Sequence, residues 1–99
     1  MTNELYEKLI EKYGELQIVV AIEELAELQQ ELSKALRGKE DKKKIVEEMA
    51  DVYIMLDQLK IMFDIPSPLL RLEKQQKLLR TKKRLEESNV WQKQLLKVK

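Results

Sequence analysis

Ninety-nine residues, 43% apolar and 37% charged, make one small domain with enough apolar material for a core and too much for a disordered chain. With no Cys and no His, disulfides, thiolate chemistry, Ser-His-Asp triads and Cys/His zinc or haem sites are excluded, so any metal must be held by oxygen. The net charge of +1 hides an asymmetry: residues 1–70 carry nine Lys/Arg against fifteen Asp/Glu, and residues 71–99 carry ten against three. An acidic body with a basic C-terminal third suits nucleic acid, an acidic protein or a metal–polyphosphate ligand.

Only two Gly and two Pro occur, which favours long helices over a many-stranded fold. The first helix is expected from Asn3 to about Tyr13, with Leu5, Leu9, Ile10 and Tyr13 on its apolar face. Gly14 breaks it. A second helix runs from about Glu15 to Leu36, with Ile18, Ile22, Leu25, Leu28, Leu32 and Leu36 in one stripe. Gly38 suits the left-handed position after its C-terminus, and Asp41 is the N-cap of the next helix. The third helix spans about Lys42 to Phe63. Pro66 stops it, and Ser67-Pro68 reads as an N-cap and first turn of a fourth helix ending near Glu87. Ser88-Asn89 is expected to interrupt the chain, which gives a helical domain over 1–87 and a tail over 88–99. Trp91 in that tail reads as an anchor or subunit contact. Apolar runs such as Ile18–Ile22 are too short to span a bilayer, and no signal pattern opens the chain. A cytoplasmic protein without a membrane partner is expected.

The third helix holds thirteen apolar residues among the nineteen from Ile45 to Phe63, so it should be largely enclosed. Glu48 and Asp51 nevertheless interrupt it one turn apart, and Tyr53 is expected in its packed interior. A buried carboxylate requires a cation, whereas the plainer reading is that this edge faces water. The second helix repeats the spacing. Glu24 and Glu27 lie one turn apart, and Glu23, Glu24, Glu27 and Glu31 share a face opposite the leucine stripe, with Val20 among them. No Lys intersperses between Lys12 and Lys34, although like charges at such spacing destabilise a helix. If the two helices pack antiparallel, their carboxylates meet across the groove, a donor set for Mg²⁺ or Mn²⁺.

Glu23-Glu24-x-x-Glu27, then twenty residues, then Glu48-x-x-Asp51 resembles the paired acidic signature of the MazG-like, all-α nucleoside triphosphate pyrophosphohydrolases. Gly14-x-x-Gln17 before the acidic helix is similar to a segment of many members. Lys77-Leu78-x-Arg80-x-x-x-Arg84 is similar to the basic pattern on their last core helix. The resemblance covers roughly residues 13–85, and the compact form is most like phage- or prophage-type members. It implies a four-helix MazG-like bundle completed by oligomerisation, as a homodimer or homotetramer. It also implies cleavage of a nucleoside triphosphate to the monophosphate and pyrophosphate by an activated water, with Mg²⁺ as cofactor and Mn²⁺ as a substitute. Glu24, Glu27, Glu48 and Asp51 would hold the metal, and Glu23 and Glu24 would serve the attacking water. Lys77, Arg80 and Arg84 would contact phosphates, and Gln17 and Tyr13 the base. Two rival readings are a nucleotide-binding or interaction protein without catalysis, and nucleic-acid binding through residues 71–99. Neither the interaction nor the nucleic-acid reading accounts for Glu48 and Asp51 inside an apolar helix, and nucleic acid is not expected as a partner.

Overall fold

The computed structural model describes residues 2–98, with the side chains at positions 90, 91, 97 and 98, Trp91 among them, outside the described set. Among the described residues there are four α-helices and no strand: α1 (Thr2–Tyr13), α2 (Leu16–Leu36), α3 (Lys42–Met62) and α4 (Ser67–Val98). None of them is long and apolar enough to cross a membrane. Two compact units divide the chain, the first ending at Ile65 and the second beginning at Pro66.

Local chemistry sets the ends of the first three helices. Gly14 adopts φ +55 and Gly38 φ +80, the left-handed region that a Cβ disfavours, so the chain turns at both. After α2 the Lys39 N–H reaches back to the Lys34 carbonyl at 2.9 Å, closing the open end of the helix. The Asp41 carboxylate then accepts the Lys44 N–H at 3.1 Å, as an N-cap should. At the end of α3, Asp64 takes the left-handed conformation (φ +54), a role that its short polar side chain tolerates. This lets the Ile65 N–H bond the Lys60 carbonyl at 2.8 Å. Pro66, not Ser67, supplies the first carbonyl of α4, accepting from Leu69 N–H at 3.1 Å.

In the first unit α2 and α3 form the principal contact, and α1 packs on both. A buried hydrogen bond from Gln17 Nε2 to Gln58 Oε1 (2.7 Å) ties the start of α2 to the end of α3, so the pair is antiparallel. Few buried side chains line this seam. Ala21 and Met55 are the apolar ones, and Tyr6 of α1 is also buried in this unit; Gln17, Glu31, Glu48 and Gln58 are polar, and Gln58 is 2% exposed. Replacing Gln58 with Ala strands the Gln17 amide and is expected to cost about 1–3 kcal/mol in urea unfolding. Replacing both glutamines with Leu should be close to neutral, since no orphaned donor is then left. An unchanged midpoint in Gln58→Ala would remove the bond from any stabilising role.

Three sequence expectations change here. The third helix is not largely enclosed: Val46, Met49, Tyr53, Ile54, Leu56 and Ile61 are exposed, Tyr53 by 65%, because α1 and α2, which pack on α3 in the first unit, cover part of its circumference. The α2 stripe likewise leaves Ile22, Leu25, Leu32 and Leu36 exposed. The interruption at Ser88-Asn89 is also absent, and α4 continues to Val98. Ser and Asn cost only a few tenths of a kcal/mol in a helix interior, roughly, whereas Pro and Gly act as true breakers.

Candidate metal centre

Antiparallel register brings the acidic pairs of α2 and α3 face to face. As α2 is followed toward its C-terminus, Gln17 meets Gln58, Glu24 meets Asp51 and Glu27 meets Glu48. One carboxylate oxygen from each of Glu24, Glu27 and Glu48 lies within 4.8 Å of the others. Asp51 joins the group through its contact with Glu24. Three of the four acids expected as ligands therefore converge on the seam, and Asp51 stands beside Glu24.

The electrostatics are those of a site short of positive charge. Glu24 Oε2 and Glu48 Oε2 are sealed from water and have no hydrogen-bond partner. The groups beside them are the Asp51 and Glu27 carboxyls, which can share with them only a proton. Burial pushes the Glu24 pKa up to about 7, helped by the nearby carboxyls of Glu27, Asp51 and Glu48. Glu48, 7% exposed, is raised too, first by loss of water, then by the nearby carboxyls of Glu27 and Asp51. The single opposing influence on Glu48 is the ammonium of Lys44, one turn earlier on α3. Orphaned buried acceptors and converging carboxylates fit a hard divalent cation, whose oxygen ligands stand at about 2.0–2.6 Å and so within about 5 Å of each other. Three Glu and one Asp, without softer donors, suit Mg²⁺ or Mn²⁺.

The other expected residues fall as follows. Glu23 is exposed, next to Glu24 on α2. Gln17 is buried with its Nε2 committed to Gln58, which leaves its carbonyl oxygen for any further partner. Tyr13 ends α1 partly exposed, with the Lys12 ammonium 5.3 Å from its ring centroid. Lys77, Arg80 and Arg84 are exposed on α4, in the second unit, with Arg80 3.7 Å from Glu73. Sequence reasoning passed over Lys44, although its i, i+4 spacing from Glu48 was readable. It also passed over Gln58, whose role depends on a partner 41 residues away.

Around both helices from the acids, Leu28, Met49, Val52, Tyr53 and Leu56 line an open apolar hollow of about 240 Å³. The α2–α3 pair is thus two-sided, with carboxylates toward one edge of the seam and uncharged side chains toward the other. Comparison with family models, with curated proteins and with solved structures gives no match to this chain.

Proposed function

We propose that this chain is a Mg²⁺-dependent nucleoside triphosphate pyrophosphohydrolase of the MazG-like kind. The supporting observation is the meeting of Glu24, Glu27 and Glu48 across the α2–α3 seam, with Asp51 beside Glu24 and two buried oxygens that lack any donor. Glu24, Glu27 and Glu48 hold the ion and Asp51 completes the set. Once bound, the ion supplies charge neutralisation to the triphosphate and acidifies water. Glu23 and Glu24 orient that water and take its proton, a task left to carboxylates in a chain without His or Cys. Lys44, on the same helix as Glu48, adds a cation for the phosphates at the rim. In this reading Tyr13 and Gln17 contact the base.

The same proposal includes self-association. Ile22, Leu25, Leu32, Met49, Tyr53 and Leu56 are exposed apolar side chains on α2 and α3, surface of the kind that marks an interaction site. Light scattering should give a dimer or tetramer, and a monomer at high micromolar concentration overturns this part. Nucleic-acid binding is disfavoured by α4 itself: Arg71, Lys77, Lys82 and Lys83 ring the helix and form no single basic stripe.

The deciding experiment is a panel of ribo- and deoxyribonucleoside triphosphates with Mg²⁺. Pyrophosphate, and no orthophosphate, should be released from at least one of them. A protein inert on the whole panel refutes the enzyme.

A further inference from the structure

On α2, Glu24, Glu27, Glu31 and Lys34 follow one another at spacings of three, four and three, a single line along the helix. On α3, Lys44, Glu48 and Asp51 form the matching line. Because the helices are antiparallel, the carboxylates occupy the middle of the seam and both lysines fall toward the α2–α3 turn. Glu31 is the unexplained member. It is 6% exposed, yet it lies outside the group of converging carboxylates. Its Oε2 accepts from Lys34 Nζ at 3.1 Å, and Lys34 itself is 48% exposed. A helical pair of this spacing stabilises little against the cost of burying a carboxylate. What the burial does achieve is to fix one otherwise mobile ammonium beside the acidic line.

We propose that Lys34, anchored by Glu31, is a polyphosphate-binding residue that draws the outer phosphates toward the α2–α3 turn. The inference rests on the carboxylates being a metal centre, and the orphaned, buried Glu48 Oε2 is the separate sign that a cation belongs there. Helical side chains lean toward the N-terminus, so the Lys34 ammonium sits back over Glu31. Glu31 is four residues beyond Glu27, or about 6 Å along the axis, a distance that a chain of two or three phosphates spans. A triphosphate held by the metal at Glu24, Glu27 and Glu48 then has its far end at Lys34 and Lys44. Its nucleoside end is directed toward the Gln17–Gln58 end of the seam. Glu31 is a positioning residue in this arrangement.

The test uses the full chain with Mn²⁺ and inorganic tripolyphosphate as probes, read by calorimetry. Wild type should bind Mn²⁺ and, in its presence, tripolyphosphate. Lys34→Ala should bind Mn²⁺ within twofold of wild type and lose at least tenfold in tripolyphosphate affinity, with Lys34→Arg recovering most of the loss. Glu31→Gln should weaken tripolyphosphate binding several-fold while Mn²⁺ binding stays within twofold of wild type, a separation that a merely structural pair would not produce. Wild type that binds Mn²⁺ but no tripolyphosphate overturns the Lys34 assignment and leaves the metal centre standing. So does a Lys34→Ala variant within twofold of wild type for both probes, or one that loses both equally. Wild type that binds no Mn²⁺ overturns the proposed function, and this inference with it.

Discussion

Glu48→Gln should abolish pyrophosphate release, by at least about a thousandfold in kcat, if the carboxylate cluster is the metal centre of a pyrophosphohydrolase. The amide keeps the shape and the helix and removes a charged ligand. Metal-free Glu48→Gln should also melt at a higher temperature than metal-free wild type. In wild type the Glu48 carboxylate is buried beside Glu27 and Asp51 with one oxygen lacking any donor, and the substitution relieves that repulsion. Loss of activity with a gain in metal-free stability is the signature of a residue kept for its ligand. A variant that loses activity and also melts lower, with reduced helicity by circular dichroism, would make Glu48 a structural residue. Retained activity would remove it from the metal set.

Metal-free wild type should lose stability as pH rises from about 4.5 to about 7. The Glu24 carboxyl is near its ordinary value of 4.5 when unfolded and is pushed up to about 7 in the fold. Between those values the folded chain binds more protons than the unfolded one, so each step up in pH favours unfolding. The contribution is complete below about 4.5 and lost above about 7; Glu48 acts in the same direction. A divalent cation takes the place of the proton, so its binding strengthens over the same range. At a hundred times its Kd, a ligand specific to the fold adds about 2.7 kcal/mol of stability. Melting in EDTA across pH 5 to 8, repeated with Mn²⁺, checks this. The EDTA curve should fall with pH, the Mn²⁺ curve should separate from it most at pH 8, and Glu24→Gln should flatten the slope. An EDTA curve that rises steadily through pH 7 contradicts the raised pKa of Glu24.

Much of the first three helices was readable locally. Gly14, Gly38, Asp41 and Pro66 act through their own backbone or through a neighbour three residues away, so the helix ends follow from short windows of sequence. Ser88-Asn89 was over-read as a break because weak helix propensity is not the same as a missing donor or a forbidden φ. The acidic residues of the site were legible from their spacing alone: Glu24 with Glu27, and Glu48 with Asp51, stand one turn apart in both helices. Which of them meet was not. That depends on the register of α2 against α3, and a slide by one turn would pair different residues. The buried Gln17–Gln58 bond belongs to that register and has no local sequence signal.

The arrangement of polar and apolar side chains was the least legible feature. Periodicity marks a leucine stripe on α2 and apolar side chains around α3, and the natural expectation is that these fill the interior. In the fold the seam buries Gln17, Glu31, Glu48 and Gln58, while Ile22, Leu25, Tyr53 and Leu56 stay exposed. Periodicity tells which side chains share a face but not which face a neighbour covers. By itself, then, the amino-acid sequence determined an all-helical chain, its first three breaks and the acids at one-turn spacing, because these depend on backbone preferences within a few residues. Only the tertiary structure decided that Glu24, Glu27 and Glu48 converge, that two of their oxygens are left without donors, and that Glu31 is buried. Those facts depend on contacts between distant segments, where packing geometry overrides local pattern.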